Sequence, residues 1–235
     1  MLISVFMLLP AIIPFNGGDM LPRSGRRSQE RREDCMEELL ERLDTVLRRQ
    51  RPEYYATLLP EATPEEFRRL ETALGTPVPD DLSALLAWKN GHPRKDLARG
   101  YVYVGEPIWG KYRLMSVEEI ALSCEEMIEM LEGEEWDDPN WWHAGYIPFA
   151  SDDGGDYLLI DTAAHLAALP GEVMDWAHAA PMRILICGSL RGFIESVVVA
   201  LENGAASPEE DWEQYKAAFS GCNPGYPVMH ILQNS

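Results

Sequence analysis

Trp141-Trp142-His143-Ala144-Gly145-Tyr146-Ile147-Pro148-Phe149-Ala150-Ser151-Asp152-Asp153-Gly154-Gly155-Asp156-Tyr157-Leu158-Leu159-Ile160-Asp161 decides how this chain is read. Two apolar, β-prone runs flank an acidic glycine cluster, which is the pattern of two strands joined by a tight hairpin loop. Gly154 and Gly155 are expected to supply positive φ in the turn, while its aspartates cap the backbone. Pro148, Gly91 and Asp161 are assigned turn or structural roles as well. Trp141 and Trp142 are neighbours, so on an extended segment they point to opposite sides. One is expected in the core and the other as an anchor for a binding partner, because Trp is over-represented among interface hot spots.

Outward from this hairpin, the punctuation continues in both directions. A helix is predicted from Met36, with Leu39, Leu40, Leu43, Val46 and Leu47 on one face and Pro52 as its stop. Thr63-Pro64-Glu65-Glu66 combines an N-cap, a proline at the first helical position and a capping-box glutamate. Val78-Pro79-Asp80-Asp81 opens a further helix that ends before Asn90-Gly91. Tyr101–Val104 and Tyr112–Met115 read as strands, and Ser116-Val117-Glu118-Glu119 starts another helix. Strands are predicted near Tyr146–Phe149, Tyr157–Asp161, Val173–Trp176 and Arg183–Cys187. Ser189 caps a helix ending at Gly204, and Ser207-Pro208-Glu209-Glu210 opens a short last one before a tail rich in Gly, Pro and Asn. Helices first, strands in the middle and helices last imply an α+β fold. Its mainly antiparallel sheet has about six strands flanked by helices.

The charge is −19 and uneven. Residues 52–235 hold eleven Lys and Arg against thirty-one Asp and Glu, whereas residues 21–51 carry nine Arg against seven acids. So acidic a domain gains nothing from counterion release and is a poor ligand for a phosphate backbone. It could cover the basic cleft of a protein that handles nucleic acid, or be acidic simply as cytosolic domains of many kinds are. The cysteines Cys35, Cys124, Cys187 and Cys222 form no CxxC pair and the five His are scattered, so no zinc site is expected. The Asp152–Asp156 loop lacks the alternating ligands and distal Glu of a calcium loop. No phosphate loop, dinucleotide fingerprint or HExxH is present. Ser189 is misplaced for a nucleophile elbow. His143, Ser151 and Asp153 are too close on one turn to take the separate roles of a triad. No catalytic residue, metal or cofactor is therefore assigned. Met1–Phe15 is apolar but too short to span a bilayer as a helix. A start-site extension or disordered arm is expected for residues 1–35, with a signal or anchor and a docked segment as alternatives.

Three blocks resemble the SMI1/KNR4 family, also called the SUKH superfamily. The first runs from Glu71 and Gly75 through Val78-Pro79 and the Leu-rich helix to Asn90-Gly91. The second is Ile147-Pro148-Phe149-Ala150, then Asp152-Asp153-Gly154-Gly155-Asp156 and Asp161. The third, weaker, is Gly171 and Val173 followed by Ser189-Leu190 and Phe193-Ile194. The likeness covers roughly residues 60–205. Val78 stands where the family usually has Leu, Leu190 where it usually has Phe, and the segment before Thr63 has no counterpart. This divides the chain into an arm (1–35), an amphipathic helix (36–60), an SMI1/KNR4-like domain (61–205) and a C-terminal helix with a loose tail (206–235). The resemblance implies a non-enzymatic, cytoplasmic protein-binding domain. Its members include immunity proteins that neutralise polymorphic toxins, many of them nucleases or deaminases, and regulators of cell-wall synthesis and signalling. The partner expected is a basic nuclease or deaminase toxin domain, with no direct nucleic-acid or membrane contact. A regulatory or scaffold protein is the alternative, and an enzyme the remote one. Candidate partner-binding residues are Trp141, Trp142, Asp152, Asp153, Asp156 and Asn90, the aspartates forming a rim that meets Arg or Lys through charge-assisted bonds.

Overall fold

The computed structural model describes residues 36–93, 106–133, 141–180 and 182–231. The expectations for residues 1–35 and for a strand at Tyr101–Val104 lie outside the described residues.

Four helices come first: α1 (Met36–Gln50), α2 (Pro52–Thr57), α3 (Pro64–Leu74) and α4 (Asp80–Trp88). Strand β1 (Arg113–Leu114) and helix α5 (Val117–Gly133) follow. Then come β2 (Tyr146–Ser151), β3 (Tyr157–Asp161), β4 (Glu172–Trp176) and β5 (Met182–Cys187). Helices α6 (Leu190–Glu202) and α7 (Trp212–Cys222) and strand β6 (Val228–Ile231) complete the order. The strands form one six-stranded antiparallel sheet in the order β1-β2-β3-β4-β5-β6, an α+β fold.

Local chemistry accounts for most boundaries. Pro52 lacks the N–H that would continue α1 and serves as the first residue of α2. Thr63 and Glu66 close a reciprocal capping box on α3, and Gly75 ends that helix at φ +66. The Ser189 hydroxyl accepts from the Gly192 N–H to cap α6. In β2, Pro148 sits at a bulge where Phe149 has no opposite number on β3, so the missing N–H disturbs no regular ladder.

Strands β2 to β4 are buried on both faces, which is why they read as nearly continuous apolar runs. Along β3, Leu158 and Ile160 join the large core with α1, α4, α6 and α7, while Leu159 faces a second cluster. That second cluster contains Trp142, Tyr146, Met174, Trp176 and Leu185, with Met127 of α5. The apolar stripe of α1 is part of the large core and packs against α6.

Two expectations change. The tail was expected to be loose, yet Val228–Ile231 pairs with β5 as the sixth strand. In the hairpin turn, positive φ falls on Asp153 (+61) and Gly155 (+103), and Gly154 does not need it. Asp tolerates the left-handed region better than most residues because its short polar side chain can bond locally.

Candidate functional site

The β2–β3 turn is built on the Asp152 carboxylate. Its Oδ1 accepts from the N–H groups of Gly154 (2.8 Å) and Asp156 (3.0 Å), and the Ser151 hydroxyl accepts from the Asp153 N–H. These bonds make an Asx-type turn of the glycine cluster.

The charges of the turn are met inside the chain. Lys111, just before β1, places its ammonium 2.9 Å from Asp152 and 2.5 Å from Asp156. Asp156 Oδ1 also accepts from the backbone N–H of His178 (3.0 Å) and lies 2.8 Å from its Nδ1. Burial pushes the Asp156 carboxyl up, but the bonds from Lys111 and His178 outweigh it and hold it below the usual range. Arg113, on β1, bridges Asp153 and Glu119 of α5 and is itself buried. Burial opposes its charge, and the two carboxylates more than restore it, so its pKa is raised. The three aspartate side chains are only 14%, 11% and 16% exposed, in chain order. Asp152, Asp153 and Asp156, the candidates for an acidic rim, thus face cations of their own fold.

Asn90 is the remaining polar candidate. It is buried, its Oδ1 accepts from the Val117 N–H at the start of α5 (2.7 Å), and its Nδ2 donates to Glu66 of α3 (2.8 Å). It thereby links the end of α4 to α3 and α5. Gly91 beside it has φ +57, and a Cβ there would lie 2.2 Å from the Met115 carbonyl oxygen. Only glycine permits this crossing.

Trp142 is in the core, edge-on to Trp176 at 5.2 Å. Trp141 is half-buried and also meets Trp176, at 5.0 Å, with its Nε1–H donating to the His178 carbonyl. Both Trp rings thus meet Trp176, in the segment that leads through a turn at residues 144–145 into β2. Asp161 is fully buried, and its carboxylate accepts from the backbone N–H groups of Ala163, His165, Leu166 and Ala167. It organises the β3–β4 connection, as a structural residue should. The imagined triad is not assembled: the His143 ring stacks on His165 at 4.3 Å, while Asp153 is held by Arg113.

Lys111, Arg113, Glu119 and His178 were missed. Lys111 and Arg113 are the only Lys or Arg between residues 106 and 182, a signal of paired cations that was open to inspection. The acids not met internally lie elsewhere. Glu118, Glu125, Glu129 and Glu132 follow one outward stripe of α5, and all are exposed. Glu118 reaches Arg69 at 3.9 Å, whereas Glu125, Glu129 and Glu132 have no ion pair among the described residues.

Comparison with curated protein sequences gave no match. The sequence model of the SMI1 / KNR4 family (SUKH-1) matches residues 61–196, which span α3 to the middle of α6 and include the β2–β3 turn, Asn90 and Asp161. With more than half of its length matched, the chain belongs to the SMI1/KNR4 (SUKH-1) family.

Proposed function

We propose that this protein is a binding domain of the immunity type, which neutralises a basic toxin partner by covering it with an acidic surface. The observation that carries this reading is the partition of charge. The hairpin acids are paired within the fold, whereas Glu125, Glu129 and Glu132 on the outward stripe of α5 have no ion pair among the described residues. An uncompensated acidic stripe on a rigid helix attracts a basic partner and orients its approach. The family's general use as a non-enzymatic binding module supports the same conclusion.

The test is capture of the tagged protein's partner from its own host, followed by an activity assay on that partner. Inhibition of a nuclease or deaminase by stoichiometric addition of this chain supports the proposal. A partner from envelope synthesis or signalling whose activity is unaltered would replace it with the regulatory reading.

A further inference from the structure

Helices α1 and α4 pack together and leave a groove of about 620 Å³ along their outer side. Leu40, Glu41 and Asp44 recur along one stripe of α1, and Ala84, Ala87 and Trp88 form the facing stripe of α4. Leu40 belongs to the large core, and Ala84 and Trp88 pack against it, so the apolar floor is continuous with the interior. Ala87 is exposed, and its side chain, ending at Cβ, leaves the groove open. Trp88 is fixed in position. Its Nε1–H donates to Asp44 Oδ1 (3.0 Å), and Asp44 also accepts from the Tyr55 hydroxyl (2.6 Å) and Arg48 Nε (2.6 Å). An aromatic ring locked beside small residues is a preorganised anchor, with little freedom left to lose on binding.

The walls select the occupant. The charged groups lining the groove, Glu37, Glu41 and Asp44, are all acids, and among the described residues no Lys or Arg lines it. An occupant therefore presents apolar side chains to the floor and cations to the α1 wall. Both walls are helices, whose backbone groups are bonded internally, so they offer no edge to an extended strand. A segment that satisfies its own backbone bonds is required, and an amphipathic helix does so while laying its apolar face in the groove. One wall, α4, lies within the residues matched by the family model and the other, α1, lies before them, so the groove is not a feature of the family domain alone.

We propose that the α1–α4 groove is the docking site for a basic amphipathic helix of the protein partner. Leucine-sized side chains at successive turns of that helix pack on Leu40, Ala84 and Trp88, in the space left by Ala87. A flanking lysine or arginine meets Glu41, which is exposed. This deepens the protein-binding reading and rests on it.

The experiment uses the full chain and a fluorescein-labelled, end-blocked peptide of about 18 residues, with leucines on one helical face and lysines on the other. Anisotropy gives the affinity, and the indole N–H resonance of Trp88 reports whether the groove is entered. Saturable binding that moves this resonance is expected, whereas a lysine–glycine peptide of equal charge leaves it in place. Ala87→Arg should weaken binding roughly tenfold by filling the groove, and Glu41→Gln about threefold from the opposite wall. Glu71→Gln, on α3 and outside the groove, makes the same change of charge as either and should alter the affinity by less than about twofold. All three residues are exposed, and each variant's unfolding midpoint shows whether it remains native. Equal losses in Glu41→Gln and Glu71→Gln, or an unmoved Trp88 resonance at saturation, overturn the groove, since the peptide then senses only overall charge. So does a Trp88 resonance that moves with the concentration of the free chain, because a second copy is then the occupant. A captured partner that binds Ala87→Arg and Glu41→Gln as tightly as the wild type overturns the groove while leaving the protein-binding reading standing.

Discussion

Arg113 and Asp153, forty residues apart in sequence, meet through Nε–Oδ1 at 3.0 Å, and the same guanidinium reaches back to Glu119 on α5. One cation thus ties the hairpin turn, the edge strand β1 and helix α5 together. Replacing it by a neutral chain of similar length, Arg113→Met, leaves two poorly exposed carboxylates facing each other. Truncating one member of a buried ionic cluster costs about 3–5 kcal/mol. Urea unfolding should register that loss, and a decrease below about 1 kcal/mol would mean that the cluster is ornamental.

Asn90 carries a comparable duty without charge. Asn90→Ala removes the acceptor for the Val117 N–H and the donor to Glu66 in one step. Leaving a buried amide unmet costs about 1–3 kcal/mol. The thermal midpoint should fall, while the folded fraction still binds whatever the wild type binds. Retained stability together with lost binding would restore Asn90 as a contact residue.

Gly75 and Gly91 separate conformational strain from steric exclusion. Both have positive φ, but a Cβ at Gly75 would meet nothing within 4 Å, whereas at Gly91 it would lie 2.2 Å from the Met115 carbonyl oxygen. Gly75→Ala should therefore cost only the left-handed strain of about 1–2 kcal/mol. Gly91→Ala must also move the backbone where the segment after α4 meets Met115 and should yield little folded protein. Expression and chemical unfolding of the pair decide this, and equal stability of the two variants would contradict it.

Much of the sheet was legible because its chemistry is local. The runs around Ile147, Leu159, Met174 and Leu185 are bounded by turn residues, and each strand needs only its own pattern to be recognised. Asp161 stood out for the same reason, since its four amide partners follow it within a few residues. The edges carried weaker signals. β1 has two residues, and β6 exposes Val228 and Met229 at 41% and 57%, so no buried periodicity marks it. The ion pairs around the candidate site were not legible, because charge pairing is set by the fold. Nothing near Asp153 in sequence indicates that Arg113 will neutralise it.

Acid should reveal His92. Its Nδ1 lies 3.2 Å from the Leu114 carbonyl, which can only accept, so the neutral ring carries its proton there. Burial lowers its pKa to about 4, with Arg113 and Arg51 nearby adding to the effect. An unfolded histidine titrates near 6.5. The stabilisation is complete above that value and is lost as pH falls from about 6.5 toward about 4, because the unfolded chain takes up a proton that the folded one refuses. The slope is at most about 1.4 kcal/mol per pH unit. Asp44, Glu66 and Asp156, whose pKa values are lowered, act in more acidic solution. His92→Gln should flatten the stability profile in the His92 window, leaving the smaller contribution of His165, also lowered by burial. Identical profiles for variant and wild type would show that His92 is protonated in the fold.

Charge reversal should have opposite consequences on the two acidic surfaces. Asp156→Lys deprives Lys111 and His178 of their shared acceptor and should destabilise the fold by about 1–3 kcal/mol. Glu125→Lys/Glu129→Lys changes exposed groups that have no ion pair among the described residues and should stay within about 0.5 kcal/mol of the wild type. The order inverts for association with a captured basic partner. The α5 double variant should slow association about tenfold at low ionic strength. That difference should shrink as salt screens exposed charges beyond about 10 Å. Stopped-flow association rates, measured across a salt series on variants whose folded fraction is known, separate the two effects. If the α5 variant associates at the wild-type rate in low salt, the helix is not the face that guides the partner. The guiding surface must then be sought among other exposed acids such as Glu106, Glu209 and Glu210.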